Sequence, residues 1–167
     1  MSDVQVAVII GSDSDLPKIK SGLELLESFG IKYEVRVLSA HRSPEEVRKF
    51  ARSAGKRGIK VIIACAGLSA HLPGVIASHT TLPVIGVPLP GGELKGLDAF
   101  ISILQMPSGI PVATMSIGDP GVKNAVLLAT EILSIYDERL KKKINKYREN
   151  LRKKVVGKDA KLSSMFA

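Results

Sequence analysis

Tryptophan is absent and cysteine occurs once, at Cys65, in a chain of 167 residues. A single cysteine excludes an internal disulfide framework and suits a reducing compartment. Aromatic residues make up 4% of the chain, so the rings that commonly sandwich a flavin are scarce. No apolar run approaches the roughly 18 residues of a membrane span. The start, Met1-Ser2-Asp3, lacks the basic region of a secretory signal. The expectation is a cytoplasmic protein without a membrane partner. The three histidines lack zinc-ligand spacing, there is no second cysteine, and no carboxylates cluster in sequence, so no metal site is expected.

What is abundant is apolar residues, at 45%, against 24% charged, a composition that folds rather than stays disordered. The length suits one domain with a proper core. The formal net charge is +8, which raises the possibility of nucleic-acid binding. Its position argues otherwise. Residues 137–161 hold eleven Lys and Arg against four Asp and Glu, so nearly all the excess lies in one segment and the body is close to neutral. Within that segment Leu140, Ile144, Tyr147 and Leu151 recur at helical spacing. It reads as a basic amphipathic helix with an apolar stripe to cover. A body over residues 1–136 and a helical extension over 137–167 are therefore expected.

The body alternates strands and helices. Val4–Ile10 is apolar apart from Gln5, as in a strand buried on both faces. Further strands are expected at Tyr33–Leu38, Lys60–Ala64, Pro83–Val87 and Pro111–Ile117. Helices are expected at Leu16–Phe29, from Ser43 to about Arg57, near Ala70–His79, near Leu97–Gln105, and from Asp119 to about Ile135. Ser43-Pro44-Glu45-Glu46 has the pattern of a capping box. The order implies an α/β fold, a flavodoxin-like three-layer α/β/α sandwich on a five-stranded parallel sheet of order 2-1-3-4-5.

In such sheets ligands bind beyond the carboxyl ends of the strands. Three loops meet there: Gly11-Ser12-Asp13-Ser14-Asp15, Ser39-Ala40-His41-Arg42 and Ala66-Gly67-Leu68-Ser69-Ala70-His71. The first, glycine-led and hydroxyl-rich before a helix, suits an anion. It matches neither the Walker nor the dinucleotide pattern, and Ser14 or Asp15 can equally cap the helix. Asp15 suits ribose hydroxyls better than phosphate. Arg42 offers a two-pronged donor for phosphate. His41 is of the type that exchanges protons near neutrality. His71 opens a short helix and can hydrogen-bond a ligand as a neutral imidazole or line the core. His79 reads as structural. Cys65 reads as core, with a cysteine–histidine nucleophile as the alternative. The Met106-Pro107 corner reads as structural, or as an apolar wall to a ligand pocket.

Seven ordered motifs resemble the PurE family, the N5-carboxyaminoimidazole ribonucleotide mutases of de novo purine synthesis. They are Gly11–Asp15, Ser39–Arg42, Ala66-Gly67 with Ala70-His71-Leu72-Pro73-Gly74, Gly86-Val87-Pro88, Gly96-Leu97-Asp98, Ser102–Pro107 and Gly109–Val112. The likeness runs from about residue 5 to residue 135. It implies an isomerase that moves a carboxylate from the exocyclic amine to C4 of an aminoimidazole ribonucleotide, without metal, ATP or organic cofactor. It assigns general acid/base work to His41. It gives the nucleotide to Ser12, Asp15 and Arg42, with Ser14 and Ser39 as phosphate contacts, and places Gly67, Ala70, His71 and Leu72 beside the base and CO2. It also implies a homo-octamer with C-terminal helices reaching neighbouring subunits.

The chain departs from the family at Leu68-Ser69, where Gly-Ala is common, at Cys65, where Gly is common, and in Pro90–Glu93. Ser69 keeps open the related branch that carboxylates aminoimidazole ribonucleotide with free CO2. From other classes, an FMN-binding module and a nucleic-acid binder using residues 137–167 remain as alternatives.

Overall fold

The computed structural model describes residues 4–166; Met1, Ser2, Asp3 and Ala167 lie outside them. The strands are β1 (Val6–Ile10), β2 (Tyr33–Val37), β3 (Val61–Ala66), β4 (Val84–Pro88) and β5 (Ala113–Thr114). The helices are α1 (Leu16–Phe29), α2 (Pro44–Ala54), α3 (Leu72–Ala77), α4 (Leu97–Leu104), α5 (Asp119–Ser134) and α6 (Glu138–Met165). All strand pairs are parallel and the sheet order is β2-β1-β3-β4-β5, the expected flavodoxin-like arrangement. The chain divides into two compact units, one up to Ala129 and one from Thr130 onward.

Every residue of β1, β3 and β4 is buried, because helices cover both faces of the sheet. Side chains alternate between those faces. Ala7, Ile9, Ile62, Ala64 and Ala66 join Val47, Phe50 and Ala54 of α2, Leu72 and Ile76 of α3 and Ala99 and Ile103 of α4 in one core. Val8, Ile63 and Cys65 face Ile19 and Leu26 of α1 and Val122 and Val126 of α5. Gly22 permits that second layer, since a Cβ there would collide with Val122.

On the first face Gly86 has the same role. A Cβ at that position would lie 2.5 Å from Ile103 Cγ2 and 2.8 Å from Val112 Cγ1. Gly86→Ala should therefore cost about 1–3 kcal/mol through overpacking, read as a lower denaturant midpoint with unchanged slope.

The edges of elements differ from the sequence reading. The fifth strand has only two residues, because the prolines and turns before it leave little ladder to form. The third strand runs two residues further, to Ala66. The helix expected near Ala70–His79 is confined to Leu72–Ala77, leaving His71 as its N-cap. At α2 no capping box forms. Ser43 Oγ instead accepts from Ser39 N (3.0 Å) and donates to Ser39 O (3.2 Å), closing the preceding loop.

α6 is capped by Asp137, whose carboxylate accepts from the N–H groups of Arg139 and Leu140. Those bonds, led by the one from Leu140, hold its carboxyl below the ordinary aspartate range. Leu140 and Ile144 are buried, whereas Leu151, Val155, Leu162 and Met165 further along the helix are exposed. Several of its basic groups are spent on pairs with Glu138, Glu149 and Glu131. No helix among the described residues is long and apolar enough to cross a membrane.

Candidate active site

The register brings the carboxyl ends of the first four strands level: Ile10 pairs with Val37 and Cys65, and Ala66 with Pro88. The four loops that follow enclose a cleft of about 470 Å³. Its walls come from Gly11, Ser12, Ser14 and Asp15, from Ser39–Arg42, Ala66–Leu72 and Pro90–Gly92, with Lys18 from α1.

The β1–α1 loop is held by its own hydroxyls. Ser14 Oγ donates to Ser12 Oγ (2.9 Å), and Ser14 N donates to Asp13 Oδ1 (2.9 Å). Asp15 stands at the N-cap of α1 but its side chain makes no capping bond. The carboxylate instead accepts from Lys18 Nζ at 2.9 Å. Capping of α1 by Asp15 is thereby excluded, and the group is left at the cleft wall as an acceptor.

The β2–α2 loop is tied to its neighbour by Arg42. Its Nη2 donates to Gly11 O (3.1 Å), while its Nε and backbone N reach Ser39 Oγ (3.4 and 3.2 Å). The remaining guanidinium donors are exposed at the cleft. Ser39 thus braces Arg42 as well as lining the wall.

His41 and His71 come from different loops and meet edge to face, with ring centroids 4.9 Å apart and planes at 88°. His41 Nε2 lies 2.7 Å from His71 Nδ1. A bond that short needs one proton between the two nitrogens, so one ring donates and the other offers a lone pair. The contact couples the orientations of the two rings.

The β3–α3 loop reaches this position through an unusual backbone. Leu68 (φ 55°) and Ala70 (φ 42°) both adopt left-handed conformations, which cost an L-residue about 1–2 kcal/mol. Leu68 thus occupies a backbone conformation that favours glycine. Leu68 is 56% exposed, so little packing is lost on truncation. Leu68→Gly should raise stability by about 0.5–1 kcal/mol, after allowance for the freer unfolded chain. Equilibrium denaturation measures it.

The cleft gathers all ten residues the sequence singled out: Ser12, Ser14, Asp15, Ser39, His41, Arg42, Gly67, Ala70, His71 and Leu72. The Pro90–Glu93 loop, whose departure from the family bears on how the pocket closes, supplies Pro90, Gly91 and Gly92 to the wall, whereas Lys18 was not anticipated there. Lys18 carries a recognisable signal, a lysine three residues after Asp15 on the helix that the loop opens. His79 lies at the other end of the strands, in a separate cavity with Arg52, Thr80 and Pro83. Met106 packs at Gly74 rather than lining the cleft. Cys65 is fully buried and burial pushes its thiol up to about 12, which makes it core and no nucleophile. Among the described residues no three metal-binding side chains gather.

The cleft therefore offers two cations and one carboxylate, a ring of hydroxyls, and a histidine pair, which suits a small phosphorylated ligand and proton transfer. The family model described as "AIR carboxylase" matches residues 5–154. The chain is similar to the N5-carboxyaminoimidazole ribonucleotide mutase of Pyrococcus abyssi, at 55% identity over 89% of this chain and 84% of that protein. It resembles the Bacillus subtilis mutase at 50% identity over 90% and 93%. Among solved structures, that of Treponema denticola PurE superposes with a TM-score of 0.84 at 32% identity, covering 95% of this chain and 98% of that one.

Proposed function

This chain belongs to the AIR carboxylase family, and from that premise we propose how its cleft carries out the mutase reaction of its relatives. The enzyme is an isomerase of purine biosynthesis that converts N5-carboxyaminoimidazole ribonucleotide to the 4-carboxy isomer. The carrying observation for the roles below is the bond between His41 and His71 at the head of a phosphate-suited cleft.

The reaction needs an acid and then a base at nearly the same place. His41 gives a proton to the carbamate nitrogen, the C–N bond breaks, and CO2 is released beside the ring. The bonding electrons stay on the nitrogen, whose amine feeds electron density to C4. C4 attacks CO2 to form the new carboxylate. His41 then takes the C4 proton, which restores the aromatic ring and returns the imidazole to its starting state. His71 holds the ring of His41 in place through both transfers. The backbone of Gly67 and the apolar side chains of Ala70 and Leu72 border the space where CO2 must wait, and excluding water there keeps it from escaping. At the other end, Arg42, Ser12, Ser14 and Ser39 take the phosphate and Asp15 accepts from the ribose hydroxyls. No metal or organic cofactor is required for these steps.

The test is incubation of the purified protein with the carbamate ribonucleotide, without ATP or bicarbonate. The C4-carboxylated product should appear by ultraviolet absorbance faster than in a protein-free control. Ser69 on the cleft wall supports a second reading, carboxylation of aminoimidazole ribonucleotide by free CO2. Turnover of that nucleotide with bicarbonate, and none of the carbamate, would establish it instead.

The body over 1–136 is the catalytic domain in this reading, and 137–167 is an extension that packs on neighbouring subunits of a homo-octamer. Support comes from the exposed apolar residues of α6 and from Leu97, Ile101 and Leu104, which α4 leaves uncovered. The enzyme works in the cytoplasm, and neither nucleic acid nor membrane is its partner. A recorded mass in solution near eight times 17.9 kDa, lost when residues 137–167 are removed, is the expected result.

A further inference from the structure

We propose that Lys18 is a second phosphate-binding cation of the cleft, which exchanges its pairing with Asp15 for the phosphate when a nucleotide binds. The inference rests on the ribonucleotide reading above. Two cations bracket the β1–α1 loop. Arg42 reaches its first residue, donating to Gly11 O. Lys18 reaches its last, donating to Asp15 Oδ1. The seryl hydroxyls of Ser12 and Ser14 lie between them, and all these residues line one cleft.

Charge explains why one cation is insufficient. The substrate carries a phosphate dianion and a carboxylate. The cleft also holds Asp15, whose side chain is only 14% exposed and which would repel a phosphate at close range. Asp13 of the same loop adds a second carboxylate, which accepts from Ser14 N and Ser12 Oγ. Without Lys18, Arg42 alone faces the two carboxylates and the phosphate end is net negative. With it the two cations balance them. The ammonium is the more exposed partner, at 38%, and sits on a flexible four-carbon stem. It can turn from Asp15 to the arriving phosphate, which frees an Asp15 lone pair for ribose hydroxyls. One group thus screens the carboxylate before binding and contacts the anion after it.

Lys18→Met isolates the charge with little change of stem. Its KM for the carbamate ribonucleotide should rise about tenfold, the lower end of the range for a charge-assisted hydrogen bond at a partly exposed site, with kcat within about twofold. Binding of ribose 5-phosphate, followed by calorimetry, should weaken in parallel, and its dependence on salt should flatten. Binding of the product nucleoside lacking the phosphate should be unaltered. Lys18→Arg should restore most of the affinity. An unchanged KM and ribose 5-phosphate affinity in Lys18→Met overturns the proposal. Equal weakening of phosphorylated and unphosphorylated ligands also overturns it, because Lys18 would then only brace Asp15. The calorimetry needs no turnover, so a wild-type protein that binds ribose 5-phosphate but leaves the carbamate unreacted would defeat the reaction assigned above and leave this inference standing.

Discussion

His41→Asn should lower kcat by about 10³- to 10⁴-fold, the upper part of the range attributed to a positioned acid–base group. The size follows from the chemistry. The same imidazole delivers a proton to nitrogen and removes one from carbon, and an amide can do neither. Asparagine remains small enough for the site and can still exchange a hydrogen bond with His71 Nδ1, now 2.7 Å from the imidazole it replaces. The phosphate end, built from Ser12, Ser14, Ser39 and Arg42, is untouched. Product affinity measured by calorimetry should therefore stay within a few-fold of wild type, as should the melting temperature, since His41 is exposed and supports no core. Near wild-type turnover would remove His41 from its role. His71→Asn is a useful companion. It leaves the acid–base group present but less firmly oriented, so a smaller loss of about tenfold is expected, with its effect on kcat rather than KM.

Much of this site was legible because its parts sit where an alternating α/β chain must put them. Once Val4–Ile10, Tyr33–Leu38 and Lys60–Ala64 read as strands, the residues after each had to emerge at one edge of the sheet. Helix α1 was legible to its ends, with Gly30 in a left-handed conformation (φ 69°) stopping it. What was not legible depends on contacts between loops. Nothing local says that His41 and His71, thirty residues apart, share a proton. That bond exists because Leu68 and Ala70 turn the β3–α3 loop through left-handed conformations, which a sequence with no glycine at either place conceals. The fate of Ser43 was hidden for a related reason. Its hydroxyl had two backbone partners within reach, the helix ahead and the loop behind, and the return of the chain to Ser39 selected the loop. The net charge misled in the other direction. The segment that carries it has its own use for several of those charges, in pairs along α6, and the two cations at the cleft belong to the nearly neutral body.

Arg42→Met should reduce kcat/KM by about 10²- to 10³-fold, mostly through KM. Two losses combine. The first is the charge-assisted contact to phosphate, worth about 1.5–3 kcal/mol, or roughly tenfold to a hundredfold. The second is the brace. Arg42 holds Gly11 O at 3.1 Å and Ser39 Oγ at 3.4 Å, so its side chain sets the spacing between the loop that binds the nucleotide and the loop that carries His41. Loosening that spacing misplaces the acid–base group relative to the ring, and a small displacement of a reacting pair reduces kcat as well. Arg42→Lys separates the two. A lysine keeps the charge but cannot donate to Gly11, Ser39 and a phosphate at once, so it should recover part of the binding while kcat stays below wild type. The pattern distinguishes Arg42 from Lys18, whose loss should spare kcat. Steady-state kinetics on the two arginine variants, with ribose 5-phosphate affinity measured alongside, read both contributions. If Arg42→Met kept wild-type affinity for ribose 5-phosphate, the phosphate end of the cleft would have to be sought elsewhere than between the first and second loops.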